Sequence, residues 1–342
     1  MSFTPSQQSQ AGGSARFQTL LRHAWERRGL LACLLWPLSK VYGAIYQRSQ
    51  KRIQPQHAGI PTIVVGNVIA GGAGKTPVTQ AIVQHLLAQG WRPGIVSRGY
   101  GRGTKDCRAV HPHDDALLVG DEPLLLAQST GVPVFVASQR IEAARALRAQ
   151  HPEVDVLVCD DGLQHVALGR DVQVCVFHEG GIGNGWLLPA GPLREPWPKA
   201  VDAVLYAGER PAHTPAQQAS FAISRRLADY AVRSDGARVP LTDLHGVPLH
   251  AVAAIARPER FFSMLQSQGL HLERCEALPD HYNFESFPST QNQHEVLICT
   301  KKDAVKLWSI RPDALAVPLV VDIPQAFFDL LDARLSLSSG TR

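Results

Sequence analysis

Ile63-Val64-Val65-Gly66-Asn67-Val68-Ile69-Ala70-Gly71-Gly72-Ala73-Gly74-Lys75-Thr76-Pro77 reads as a buried strand, a glycine-rich turn and the start of a helix, in that order. Gly71, Gly72, Ala73 and Gly74 let successive backbone N–H groups turn toward one centre, and a helix start adds partial positive charge there. Lys75 can then reach the β and γ phosphates of a nucleoside triphosphate, and Thr76 can offer its hydroxyl to Mg²⁺. The strict pattern G-x-x-x-x-G-K-[ST] asks for glycine at position 69, where Ile69 stands, so the loop is a variant. The competing reading is a plain glycine-rich turn ahead of a helix.

Outward from this loop, Val154-Asp155-Val156-Leu157-Val158-Cys159-Asp160-Asp161 is an apolar strand that delivers two carboxylates at its C-terminal end. A P-loop protein holds its metal at that edge. The runs PTIVVGN, RPGIVSRGYG and VPVFVA alternate with helical patterning at residues 78–89, 122–128 and 140–150. That order predicts an α/β fold of the P-loop NTPase kind, a mainly parallel sheet with helices on both faces. DVQVCVF and VDAVLYA extend the sheet around a Gly/Pro-rich loop at residues 180–198, and a loop that long in a compact domain is usually functional. Past residue 215 the rhythm loosens, then resumes with LHAVAAI, PERFFSMLQSQ, HEVLICT, KDAVKLW and AVPLVVD. A second, smaller α/β unit follows, with expected divisions 1–58, 59–215 and 216–338.

The chain has 342 residues and is 45% hydrophobic and 19% charged, a globular composition that excludes disordered, collagen-like and multi-span membrane classes. Its six cysteines form no CxxC pair and read as reduced core thiols. The Ser/Gln/Gly-rich first fifteen residues are expected to be disordered and carry no secretory signal. Net charge is +4, yet residues 1–60 hold eight Lys/Arg against the single acid Glu26. Among them lies GLLACLLWPLS, residues 29–39, about half of the roughly 20 residues a spanning helix needs. Basic groups with Trp25, Trp36, Tyr42 and Tyr46 around a short apolar stretch suit a helix lying on an anionic membrane surface. A helix packed on the protein's own core with a solvated basic face is the alternative.

Asp121 and Glu122 in GDEPLLLA stand ahead of an apolar run, where acids either cap a helix or serve chemistry. Together with Asp160 and Asp161 they exceed what retention of Mg²⁺ requires, which points to one acid orienting or deprotonating an attacking hydroxyl. Gln164 and His165 follow the Asp pair in DDGLQH and can face the same crevice; a structural histidine is the other reading of His165. Arg98, Tyr100 and Arg102 in SRGYGR suit a phosphorylated sugar or simply form a solvated turn. His281 in DHYNF reaches the first unit only if the two units face each other. His111-Pro112-His113-Asp114-Asp115 reads as a surface loop rather than a metal centre.

The segments GNVIAGGAGKTP, VSRGYGR, GDEPLLLA, DDGLQH, LPAGPLREP, PERFF, DHYNF and KKDAVKL, in this order, resemble the signature segments of the tetraacyldisaccharide 4'-kinases, the lipid A 4'-kinase family. The resemblance runs from about residue 20 to about residue 325. It implies ATP- and Mg²⁺-dependent phosphorylation of the 4'-hydroxyl of an acylated glucosamine disaccharide 1-phosphate, carried out peripherally at the cytoplasmic face of the inner membrane. It further implies two α/β/α units around a cleft and a membrane-contact helix at the N-terminus. Residue by residue, it assigns Lys75 and Thr76 to phosphates and Mg²⁺, Asp121 to a base acting with His281, and Glu122, Asp160 and Asp161 to the metal environment. Arg98, Tyr100, Arg102, Gln164 and His165 are placed beside the acceptor or the phosphates. Ile69, where Thr or Ser is usual, and Lys301, where Glu is usual, depart from the pattern.

No nucleic acid and no obligate protein partner is expected. Two other functions share the P-loop and the basic N-terminus: a nucleotide-driven switch on a membrane surface, and a soluble small-molecule kinase.

Overall fold

The structure, a computed structural model, describes residues 25–288 and 295–339; the expected disorder of the first fifteen residues falls outside them. β1 (Thr62–Gly66) is buried along its whole length between β5 (Val156–Asp160) and β6 (Val172–Phe177), parallel to both. Burial on both faces is why these strands read as unbroken apolar runs instead of alternating ones. The full sheet has the order β3-β4-β2-β5-β1-β6-β7-β8, adding β2 (Pro93–Ser97), β3 (Arg108–Val110), β4 (Val134–Val136), β7 (Ala203–Tyr206) and β8 (Ser220–Ala222). Only edge strand β3 runs antiparallel to its neighbour.

Along β1 the side chains alternate between two cores, Ile63 and Val65 on one face and Val64 on the other. α2 (Lys75–Ala88) and α4 (Asp121–Thr130) cover the first face. α5 (Arg140–Gln150) covers the second. α3 (Ala116–Val119) is a single turn capped by the Asp115 carboxylate, which accepts from the Leu117 N–H at 2.8 Å.

A smaller sheet follows the order β11-β10-β15-β14-β12-β13, built from β10 (Tyr230–Val232), β11 (Arg238–Pro240), β12 (Leu249–Ala253), β13 (Leu272–Ala277), β14 (Val296–Thr300) and β15 (Leu315–Val317). α6 (Pro258–Ser267) and α7 (Lys301–Leu307) pack on it. β9 (Ser224–Leu227) and β16 (Leu319–Asp322) pair antiparallel as a separate two-stranded connector, carrying the chain out of the large sheet and back.

The chain crosses between sheets later than residue 215, since β8 still pairs with β7. It also returns: α8 (Gln325–Ser339) sends Phe327, Leu331 and Leu335, all 0% exposed, into the core of the large sheet. These apolar residues recur four apart on one helical face, which is buried in that core. The side chain of His85 on α2 meets Asp332 at 2.9 Å and stacks on Phe328, so α8 grips the helix that starts at the phosphate loop. Phe327→Ala is expected to cost about 3–5 kcal/mol of stability, read as a lowered midpoint in denaturant unfolding.

α1 (Leu30–Gln50) packs through small residues, with only Ala32, Ser39 and Gly43 buried. The Ser39 hydroxyl donates to Leu187 O (2.8 Å) and accepts from Ala190 N–H (3.0 Å), while a Cβ on Gly43 would stand 2.8 Å from Leu187 Cδ1. Its large apolar side chains point outward, Leu30 being 88% and Leu34 76% exposed. A helix folded onto its own core would show the reverse arrangement. Among the described residues no helix is long and apolar enough to cross a membrane.

Cys159, Cys175 and Cys299 are core thiols as expected, but Cys33, Cys107 and Cys275 are exposed, because they sit on outward positions of α1, a loop and edge strand β13; all six are unpaired.

Candidate active site

The phosphate loop leaves β1 and closes on α2 through Gly74, whose backbone is left-handed at φ +72°. That conformation favours glycine, and a Cβ there would also stand 2.7 Å from the Arg225 guanidinium, which would have to shift. Ile69 does not disturb the loop: it is 1% exposed, and its backbone bridges Leu193 of the long 180–198 loop, which makes a buried apolar residue the natural occupant. Lys75 Nζ lies 3.7 Å from Asp161 Oδ1. Thr76 is 8% exposed at the first turn of α2.

β5 delivers the two neighbouring acids to opposite environments. Asp160 is fully buried; Oδ1 accepts from Thr79 Oγ1 at 2.7 Å, while Oδ2 has no partner. Burial, then the nearby Glu122 carboxylate, push its pKa up. Asp161, at φ +48°, turns out of the strand toward cations. Burial would raise its pKa, but Lys75 and Arg194 outweigh that and hold it at about 2. Arg194 Nη2 donates to Asp161 Oδ1 (3.1 Å) and Asn67 O (3.0 Å).

Gly120, at φ +95°, sets the start of α4. A Cβ there would be 2.9 Å from Gly99 Cα, and this close approach seats the 98–102 loop against Asp121. Asp121 is 6% exposed and receives His281 Nδ1 at 3.1 Å and Lys306 Nζ at 2.7 Å. Burial works to raise its pKa, yet the hydrogen bonds from His281 and Lys306 prevail and hold it below the ordinary carboxylate range. His281 comes from the other unit, held in a left-handed conformation (φ +63°) by its N–H bond to Ala254 O (3.2 Å), and left-handed non-glycine residues concentrate at functional sites. The two units therefore touch at Asp121 and His281.

Tyr100 is 66% exposed and tilts over the His281 ring with centroids 5.4 Å apart. Arg98 is exposed beside it, but Arg102 turns inward beneath Gly99, its side chain 3% exposed. Gln164 Nε2 donates to Asn67 O (2.8 Å) and Glu195 Oε1 (2.6 Å), behind the phosphate loop. Burial, then Arg140 and Arg98, lower the pKa of His165 to about 4, so the ring is neutral at pH 7.

Sequence reasoning assigned no role to Lys302 and Lys306. Both come from α7, which Thr300 caps by accepting from Asp303 N–H at 3.1 Å. Lys302 Nζ lies 3.7 Å from Glu122 and 3.6 Å from Asp280. Their i,i+4 spacing behind a Thr-x-x-Asp cap was the available signal. Lys301, where the pattern departs, instead sits over the Trp308 ring at 4.1 Å. The exposed His111 and His113 loop holds no metal cluster; among the described residues no group of three or more His, Cys, Asp or Glu is gathered for one.

The sequence profile of tetraacyldisaccharide-1-P 4'-kinase (LpxK) matches residues 31–336. A protein of Acidovorax sp. (strain JS42) named tetraacyldisaccharide 4'-kinase is 60% identical over 326 residues, 94% of this chain and 96% of its own length. One of the same name from Polaromonas naphthalenivorans (strain CJ2) is 47% identical over 93% of this chain and 95% of its own. The crystal structure of the "apo" form of LpxK from Aquifex aeolicus in complex with ATP superposes with a TM-score of 0.78 at 25% identity, covering 90% of this chain and 100% of that one. These likenesses set aside the switch and small-molecule alternatives. With a profile that matches residues 31–336 and relatives this similar over nearly their whole length, the chain belongs to the tetraacyldisaccharide 4'-kinase family.

Proposed function

We propose that this chain moves the γ-phosphoryl group of ATP to the 4'-hydroxyl of an acylated glucosamine disaccharide 1-phosphate, with Asp121 as base. The observation that carries this reading is the Asp121–His281 contact of 3.1 Å between the two units. Asp121 Oδ accepts the hydroxyl proton as the oxygen attacks phosphorus, while His281 and Lys306 orient the carboxylate and stabilise its charge. Lys75 offsets charge on the transferring group. Arg98 and Tyr100 border the acceptor side of the cleft, and the neutral His165 can donate or accept a single hydrogen bond there. Gln164 and Arg102 act from behind their loops.

A divalent cation fits the acids present, because Asp160 Oδ2 is buried without a partner in the field of Glu122. Thr76 and Asp160 would hold Mg²⁺, with Glu122 and Asp161 in its surroundings rather than gathered as a protein cage, so phosphate oxygens and water would supply most of its shell. When bound, it neutralises phosphate charge. The test is transfer of labelled γ-phosphate from ATP to the acylated disaccharide 1-phosphate in detergent micelles; labelled lipid no higher than in a Lys75→Ala control ends this reading.

The outward apolar face of α1 supports work at a membrane surface, the cytoplasmic face of the inner membrane in this reading. Trp36 lies 6.4 Å from Trp186, with Lys40 over the first ring and Arg28 over the second. This mixture of apolar, aromatic and basic side chains suits a lipid headgroup layer. Leu34→Glu with Ile45→Glu should lower partitioning onto anionic vesicles about 100-fold, measured by flotation; unchanged flotation removes α1 from the contact.

A further inference from the structure

Glu195 is 2% exposed, yet it has no part in the chemistry described above. Three donors converge on it: Tyr46 Oη at 2.7 Å, Gln164 Nε2 at 2.6 Å and Lys199 Nζ at 2.5 Å. Its neighbour Arg194 is held by its backbone, the N–H donating to Val68 O (2.7 Å) and the carbonyl accepting from Tyr42 Oη (2.7 Å). The Arg194 guanidinium then bonds Asn67 and Asp161, and Asp161 faces Lys75. A continuous polar path of three steps thus runs from α1 to the phosphate loop.

Tyr42 and Tyr46 are four residues apart, on a face of α1 different from the one that carries Leu34 and Ile45 outward. Anchoring to a membrane needs only the outward side chains, and the Ser39 and Gly43 seam already docks the helix. Two phenols aimed at one Arg–Glu pair do something further. The segment bearing that pair lies outside any helix or strand; its backbone is tied to the phosphate loop through Leu193 and the Arg194 N–H, and the two phenols add the link to α1. Burial, then the hydrogen bond to Glu195, raise the Tyr46 pKa, which keeps the phenol a donor at every physiological pH.

We propose that α1 is a structural arm of the phosphate site, with Tyr42 and Tyr46 as positioning residues that set Arg194 and Glu195 against Asn67, Asp161 and, through Asp161, Lys75. This rests on the reading of that loop as the nucleotide site. Small displacements of a group near the reacting atoms are costly even when they arise at a distance. The arm therefore acts on nucleotide handling before any lipid is present.

The experiment compares wild type with the double variant Tyr42→Phe, Tyr46→Phe, and with Glu195→Gln. ATP affinity without lipid is measured by calorimetry, kcat and acceptor KM in detergent, and partitioning by flotation on phosphatidylglycerol–phosphatidylethanolamine vesicles. Both variants should bind ATP about 5- to 10-fold more weakly and turn over about 10-fold more slowly, with acceptor KM and flotation within about twofold. Circular dichroism and the thermal midpoint show whether the chain is folded; Glu195→Gln keeps the packing if the double variant loses it. Folded variants whose ATP affinity and kcat both stay within about twofold of wild type overturn the proposal, as does an effect confined to acceptor KM or flotation. Failure of the wild-type chain itself to bind ATP overturns the underlying nucleotide reading instead.

Discussion

Asp121→Asn should lower phosphoryl transfer by about 10²- to 10⁴-fold while ATP binding stays within about twofold. The substitution keeps the shape of a side chain that is only 6% exposed, but removes the charge that His281 and Lys306 both address. A carboxamide cannot take the proton of the acceptor hydroxyl. Lys306 is left facing a neutral group in a partly desolvated place, so some loss of thermal stability accompanies the loss of rate. Single-turnover transfer alongside calorimetric ATP binding separates the two effects. Transfer within tenfold of wild type would show that another group is the base. His281→Ala should lose less, about 10- to 100-fold, since Lys306 still orients the carboxylate.

Lys75→Ala should remove transfer by about 10³-fold and, unlike Asp121→Asn, should weaken ATP binding as well. Its side chain is 10% exposed and aimed across the loop at Asp161. The same change has a signature without substrate. Asp161 titrates at about 2 in the folded chain against an ordinary 3.8. A carboxyl depressed by folding stabilises the fold above its unfolded value, and that contribution is lost as pH falls toward the folded one. Without Lys75 the folded value moves up toward 3.8, leaving Arg194 at 3.1 Å and Arg140 as the cations that still lower it. Wild type and variant should therefore differ in unfolding free energy at neutral pH and converge near pH 2; identical curves throughout would mean that the Lys75–Asp161 contact carries no weight.

Much of the large sheet was legible, because parallel strands buried on both faces write themselves as Val/Ile-rich runs and because Gly-Lys-Thr follows one of them. The acids of β5 were legible for the same reason, the register pairing Val65 with Asp160. The return of α8 was not, since a helix that crosses back to an earlier core carries no local mark of its destination. Residues 180–198 advertised a role through glycine and proline, but Arg194 and Glu195 acquire theirs from Asn67, Gln164 and Tyr46, which lie 31 to 149 positions away. The inward turn of Arg102 was likewise hidden, because it depends on the Gly99 backbone lying directly above it.

The looping of β9 out and β16 back makes the smaller sheet an insertion within the larger one. A ribosome delivers this protein from its N-terminus, so Phe327, Leu331 and Leu335 emerge after the strands they cover and after the whole insertion. The nucleotide-handling half is consequently the first begun and the last completed, its core left open while the insertion folds. A nascent or prematurely terminated chain lacking the fifteen residues of α8 would expose that gap, marking it for chaperones and proteases before it could consume ATP.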